Sequence, residues 1–377
     1  MVGLFLFNYQ HCSSVCRNKR HCRPWLLTFL LETLSLPGST DFSYIEVQPL
    51  TLIQTAYPAT FHNMSDRDLR PPVPFRPDES QLHRMPRFKG NFVPRYLLRL
   101  YSPKTAGTTC LSHVIPPSVS STSPQDSDDI FSLPEDEAAK RLNAHLRWWR
   151  THEGTCNFMS WTTSLLFVLQ YGLYRHRSEG SDLSDINLMI LDTHEFSPKT
   201  FIKDMEIVEF FAPPSSGRPK PSVQKLESFR QLRRLRDCQY YFGEYLSQGD
   251  LDLTGRCVQV SLRTLLDLDL FRLMPELANE EHWGKWADAV LRVREPLKER
   301  KHLETTHDEV HKAITIAKSA FGGPWAIPVA AMLLSMKPRM TDDNIVIDGF
   351  KSMFSCGLSL YRIQITLQRL IAFSGRA

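Results

Sequence analysis

A chain of 377 residues, 42% hydrophobic and 11% aromatic, can bury the cores of two or three domains, which excludes a wholly disordered polypeptide. Its 45 basic and 41 acidic side chains leave a formal charge of +4, too small a bias to require nucleic acid or a membrane surface as partner. No stretch approaches the ~20 apolar residues that span a bilayer, so no transmembrane segment is expected.

Residues 1–90 carry no sustained hydrophobic period and read as an irregular N-terminal extension. The apolar run from Trp25 to Leu31 follows a basic stretch from Arg17 to Arg23, as in a secretory signal. The basic region is long and no small-residue cleavage site is clear, so the expectation is an intracellular protein. Cys12, Cys16 and Cys22 crowd the N-terminus with His11 and His21. Zinc sites show tighter pairs and a second knuckle, so no metal is expected there. The proline-rich run from Pro71 to Pro77 cannot sit inside a helix and reads as a linker or an ordered strap on the next domain.

Residues 91–272 alternate strand and helix signals, as an α+β domain does. Tyr96 to Tyr101 is a short apolar strand with Arg99 inside it. Residues 116–129, rich in Ser, Pro and Asp, form a surface loop. Ser132-Leu133-Pro134-Glu135 has the form of a capping box, followed by an amphipathic helix carrying Ala138, Leu142, Leu146 and Trp149. Phe158 to Thr162 is a strand, and Ser164 caps a helix carrying Leu165, Leu169 and Leu173. Ile186 to Leu191 is a buried strand, residues 211–222 a loop, and Val223 to Asp237 a basic helix. Gly255 to Val260 is a strand, and Ser261 caps a helix from Leu262 to Phe271.

Residues 273–377 read as a helical C-terminal region. Pro275 to Glu295 and Thr305 to Ser319 carry helical periods, and Phe321-Gly322-Gly323-Pro324 stops one helix and starts another. His307 and His311 stand at i and i+4, which is metal-ligand spacing, but Asp308 follows the first histidine where a zincin has glutamate, so a polar helix face is the expectation. Arg230, Arg233, Arg234 and Arg236 give a basic helix face, read as solvated. Cys156 with His152 and Asp192 has the residue types of a thiol triad but no supporting spacing.

Three segments carry the functional reading. They are an arginine on a strand (Arg99 in Tyr96–Ser102), a hydroxyl-rich strand end (Ser160 and Thr162 in Phe158–Ser164), and a glutamate in an aromatic-flanked turn (Glu244 in Phe242–Leu246). Their order resembles the Arg–Ser–Glu constellation of toxin-like ADP-ribosyltransferases. The stretch 95–271 also resembles an uncharacterised domain common in filamentous-fungal proteins; that resemblance is the closer one and implies no activity.

The transferase resemblance implies a mixed or split sheet with peripheral helices, and NAD as the molecule bound. Arg99 would anchor phosphate oxygens through paired hydrogen bonds. Ser160 and Thr162, on one face of a strand, would brace the ribose pocket. Glu244 would be the catalytic carboxylate, holding the ribose 2-hydroxyl and stabilising positive charge at the anomeric carbon. Tyr245, with Tyr241 and Phe242, would stack on nicotinamide or shape the turn. Trp161 and Phe242 depart from the family pattern: the first replaces a small hydroxyl residue, the second a Glu or Gln that helps choose the acceptor. Transfer to arginine is therefore in doubt, and NAD hydrolysis, another acceptor or loss of activity stays open.

The competing reading is a catalytically inert interaction domain with an unidentified protein partner. Under it Ser160 and Thr162 satisfy backbone groups and Glu244 is a turn acid beside Gly243. Geometry separates the two. The transferase needs Arg99, the hydroxyls and Glu244 around one cleft; Arg99 and Glu244 on opposite sides of the sheet end that reading and leave the inert module.

Overall fold

The computed structural model describes residues 72–90, 92–120, 129–147, 156–212, 221–240, 243–285, 290–292, 304–337, 339 and 343–354. The N-terminal unit, residues 1–65, falls outside them, as do its cysteine cluster and apolar run. The rest forms one unit with α+β architecture.

Two short helices, α1 (Glu79–His83) and α2 (Pro86–Lys89), precede the sheet. Asp78 opens α1 with a capping box closed by Gln81. Phe75, in the proline-rich run, is fully buried against Phe88 and Phe131, so this segment is strapped to the body by its one aromatic ring.

The main sheet contains β1 (Tyr96–Tyr101), β4 (Phe158–Thr162), β5 (Asn187–Asp192), β6 (Ile202–Lys203), β7 (Glu244–Gln248) and β9 (Cys257–Ser261). Their order is β6-β7-β4-β1-β5-β9. Every ladder is antiparallel, so the sheet is not mixed. It is split at its centre. The β1–β5 and β4–β7 ladders run in continuous register, whereas β1 and β4 meet at the single pair Leu98↔Thr162. A smaller sheet joins β2 (Thr108–Thr109), β3 (His113–Ile115) and β8 (Leu251–Asp252).

Side-chain alternation assigns the two faces of the main sheet. One face presents Leu98, Leu100, Phe158, Ser160, Thr162 and Leu246. Over its β4–β7 half lie α3 (Glu135–Leu146), α5 (Asp204–Phe211) and α6 (Pro221–Tyr240). Over its β1–β5–β9 half lie α4 (Leu165–Glu179) and the C-terminal helices. The other face presents Leu97, Met159, Trp161, Met189 and Tyr245, which close a third core with Val114, Leu251 and Leu253 of the small sheet and its flank.

The C-terminal helices share the core of the first face. α7 (Leu262–Asp267) and α8 (Leu270–Leu273) replace the single helix expected there; Asp269, with φ of 71°, breaks it. The described residues of 275–295 include two 3₁₀ turns where one long helix was expected. The Trp283 indole N–H donates to the Leu277 carbonyl at 2.8 Å, and the Asn279 carboxamide takes the Glu281 N–H. α9 (His307–Ala320), capped by a Thr306–Glu309 box, α10 (Ala326–Ser335) and α11 (Asn344–Met353) complete the unit. The box expected at Ser132 does not form. Ser132 closes a 3₁₀ turn by donating to the Asp129 carbonyl, and Pro134 opens α3 without a side-chain cap.

Candidate functional site

The strands carrying Glu244, Ser160 and Arg99 are consecutive neighbours, β7-β4-β1. Glu244 is the first residue of β7 rather than part of a turn, with Gly243 before it at φ of 63°. Thr162 lies directly opposite Glu244 and Ser160 opposite Leu246, so Ser160 meets Glu244 diagonally on one face. The Ser160 hydroxyl donates to Glu244 Oε1 at 2.9 Å. Glu244 Oε2 accepts from Arg233 Nη2 of α6, and Arg233 Nη1 lies 3.6 Å from Asp204 Oδ2 at the start of α5. Asp204 is fully buried and the Glu244 side chain is 14% exposed, so Arg233 neutralises two carboxylates withdrawn from water.

Arg99 belongs to the other face. It pairs with Met189, and its Nε donates to Thr109 of the small sheet at 3.3 Å. Its guanidinium turns into the split: Nη1 donates to the Ser160 carbonyl at 2.8 Å, and the group lies 5.8 Å from the Trp161 ring centroid. Burial pulls its pKa down to about 10, so it stays charged at neutral pH. The structure thus joins Arg99 to Glu244 through one residue, Ser160, bound from behind by its carbonyl and from the front by its hydroxyl. It gives Arg99 a backbone oxygen as partner where the resemblance implied phosphate.

Thr162 and Tyr245 are placed differently from the expected nucleotide pocket. The Thr162 hydroxyl accepts the Ser164 N–H at 3.1 Å, and Ser164 in turn caps α4 through the Phe167 N–H. The Tyr245 ring is buried on the small-sheet face, away from Glu244; burial pushes its hydroxyl well above the ordinary tyrosine range. Tyr241 and Phe242 lie outside the described residues.

Two residues of the site make contacts the sequence did not suggest. His145, in the last turn of α3, sets Nε2 2.9 Å from the Ser160 hydroxyl and Nδ1 3.0 Å from the Cys156 sulfur. Burial opposes a charged imidazole here, yet the interaction with Cys156 and the charge of Glu244 outweigh it and raise His145 above the ordinary histidine range. Cys156 lies 3.0 Å from His145, closer than its contact with the Phe158 carbonyl at 3.8 Å; His152 lies outside the described residues, and Asp192 is bound to Arg95 at 2.8 Å. The signal for His145 was its position three residues after Leu142 on the buried stripe. Arg233 was read as part of a solvated basic face. In the structure Arg230 and Arg233, at i and i+3, turn inward, Arg230 onto the Ala212 carbonyl, and Arg234 turns outward to Glu209.

A cavity of about 350 Å³ lies elsewhere, lined by Val93, residues 193–194 and residues 196–201, and none of the Ser160 cluster lines it. Among the described residues no group of three or more His, Cys, Asp or Glu side chains is placed to hold a metal ion. No described helix is long and apolar enough to cross a membrane.

No family model, curated protein or solved structure matches the chain.

Proposed function

We propose that the α+β body is an ADP-ribosyltransferase-like domain that binds NAD and acts at the nicotinamide–ribose bond, with Glu244 as its carboxylate. The observation that carries this reading is the Ser160–Glu244 hydrogen bond on adjacent strands, with Arg99 bound to Ser160 from the third strand. A carboxylate held by a hydroxyl and a guanidinium has a fixed direction. Such preorganisation suits it to a ribose hydroxyl and to the positive charge that develops at the anomeric carbon as the glycosidic bond breaks. The one-cleft arrangement fails at Arg99, which is rooted on the opposite face, so this reading rests on Glu244 and Ser160 and makes Arg99 a positioning residue that holds the Ser160 strand end rather than a ligand of the pyrophosphate.

A second reading, the inert interaction domain, is favoured by a specific observation. Both Glu244 oxygens are already engaged and Arg99 is rooted on the opposite face, so the cluster satisfies itself without a ligand. One experiment separates the two. The purified full chain is incubated with nicotinamide-labelled NAD, and free nicotinamide is followed for the parent and Glu244→Gln. The transferase reading expects release in the parent and a loss of about 100-fold or more in the variant, the scale of removing a group that stabilises transition-state charge. No release by the parent, together with no NAD binding by calorimetry, overturns it and leaves the interaction domain.

A further inference from the structure

We propose that Cys156 is a modification site: a base-activated thiol, paired with His145, that reacts with small peroxides to give a sulfenic acid. Donors and acceptors fix the proton positions, starting at Glu244. Glu244 bridges to Arg233 and accepts the Ser160 hydroxyl proton at 2.9 Å. With its one proton committed, the Ser160 oxygen can only accept at its contact with His145, 2.9 Å away. Nε2 of His145 is therefore the protonated nitrogen. In the neutral ring that leaves Nδ1 as a lone pair, and Nδ1 lies 3.0 Å from the Cys156 sulfur. The relay Glu244–Ser160–His145–Cys156 thus ends in a base aimed at a thiol, the arrangement that activates a nucleophilic cysteine.

The surroundings agree. Cys156 is partly buried, packed against the core beneath α3 rather than sealed inside it. The charged groups around His145 are Glu244 on β7, which favours the imidazolium, and Arg99 on β1, which opposes it. Arg233 on α6 is committed to Glu244 and Asp204. The other described cysteines differ. Burial pushes the Cys257 thiol up to about 11. Cys110 lies beside His113, but at 3.4 Å and 3.6 Å from its two ring nitrogens, and Nδ1 is 2.9 Å from the Ser112 hydroxyl.

The chemistry balances. The Cys156 proton passes to His145 Nδ1, and the thiolate sulfur attacks one peroxide oxygen. The O–O bond breaks, sulfur is oxidised to the sulfenic acid, and the departing hydroxide takes the proton from the imidazolium to leave as water. Hydrogen peroxide is the oxidant and is reduced in the step. The proposal stands whether or not the site acts on NAD.

The test uses the full chain, with peptide mass spectrometry reading each cysteine separately. Iodoacetamide labelling across a pH series reports the thiolate, and hydrogen peroxide followed by dimedone reports the sulfenic acid. At about pH 6.5 Cys156 should alkylate about tenfold or more faster than Cys257, with its rate levelling off near neutrality, as for thiols beside a histidinium. Dimedone should mark Cys156 first. In His145→Gln, whose carboxamide still donates to Ser160 but is no base, Cys156 should fall to the rate of an ordinary thiol. The proposal is overturned if the parent's Cys156 rate climbs steadily beyond about pH 8.5 as an unperturbed thiol does. It is equally overturned if Cys156 alkylates no faster than Cys257. The parent's pH profile decides even where the variant does not fold.

Discussion

Replacing Arg233 by methionine isolates the electrostatics of the site. The aliphatic stem is kept, while the cation that faces Glu244 and Asp204 and lies 4.9 Å from the Phe229 ring centroid is lost. Breaking a buried ion pair costs about 3–5 kcal/mol, because a carboxylate is left in a poorly solvated place without its partner. Here the Ser160 hydroxyl still donates to Glu244, and the Met205 N–H still donates to Asp204. The expected loss is therefore near the low end, about 3 kcal/mol. The exposed pair Arg234–Glu209, on the same two helices as Arg233 and Asp204 and with side chains 55% and 47% open to solvent, is the internal control. Arg234→Met should cost less than about 1 kcal/mol. Urea unfolding at neutral pH, followed by tryptophan fluorescence, gives both values. Adding Glu244→Gln to Arg233→Met should recover part of the loss, since one uncompensated charge is then removed. If Arg233→Met costs no more than Arg234→Met, the cluster is not the desolvated ion network described here.

Two other positions give independent tests. Gly243→Ala should destabilise the protein by about 1–3 kcal/mol in thermal melts, because φ is 63° and a Cβ would meet the Thr163 hydroxyl oxygen at 2.0 Å; no loss would mean that the turn before Glu244 readjusts at no cost. Burial alone would raise the Glu309 carboxyl, but the charges of Arg339 and Lys337 hold it below the ordinary glutamate range. Its ionised form then stabilises the fold above the unfolded-chain value, and that contribution fades as pH falls through the folded value. Glu309→Gln should therefore lower the urea midpoint at about pH 7 and converge with the parent as the pH approaches about 3; a constant gap across that range would contradict the assignment.

Local pattern determined much of this molecule from the sequence. The strands around Arg99 and Ser160 announce themselves by short apolar runs, and Ser164 and Ser261 mark helix starts, because a helix N-terminus needs a side-chain acceptor near its own backbone. The α+β class followed from the alternation of these signals. The order Arg99, Ser160, Glu244 was legible too, and the sheet brings their strands side by side.

Tertiary structure alone decided what those side chains touch. Period two puts Arg99 on a face only relative to its own strand; the register with β5 and the split beside β4 determine that its guanidinium ends on the Ser160 carbonyl. The same holds for His145 and Arg233. On isolated helices one is a polar residue near an apolar stripe and the other one of several arginines. Packing of α3, α5 and α6 over β4 and β7 brings both to Ser160 and Glu244, across sequence separations of 15 and 11 residues. Long-range hydrogen bonds of this kind depend on how elements dock. A single sequence records the elements far more directly than the docking.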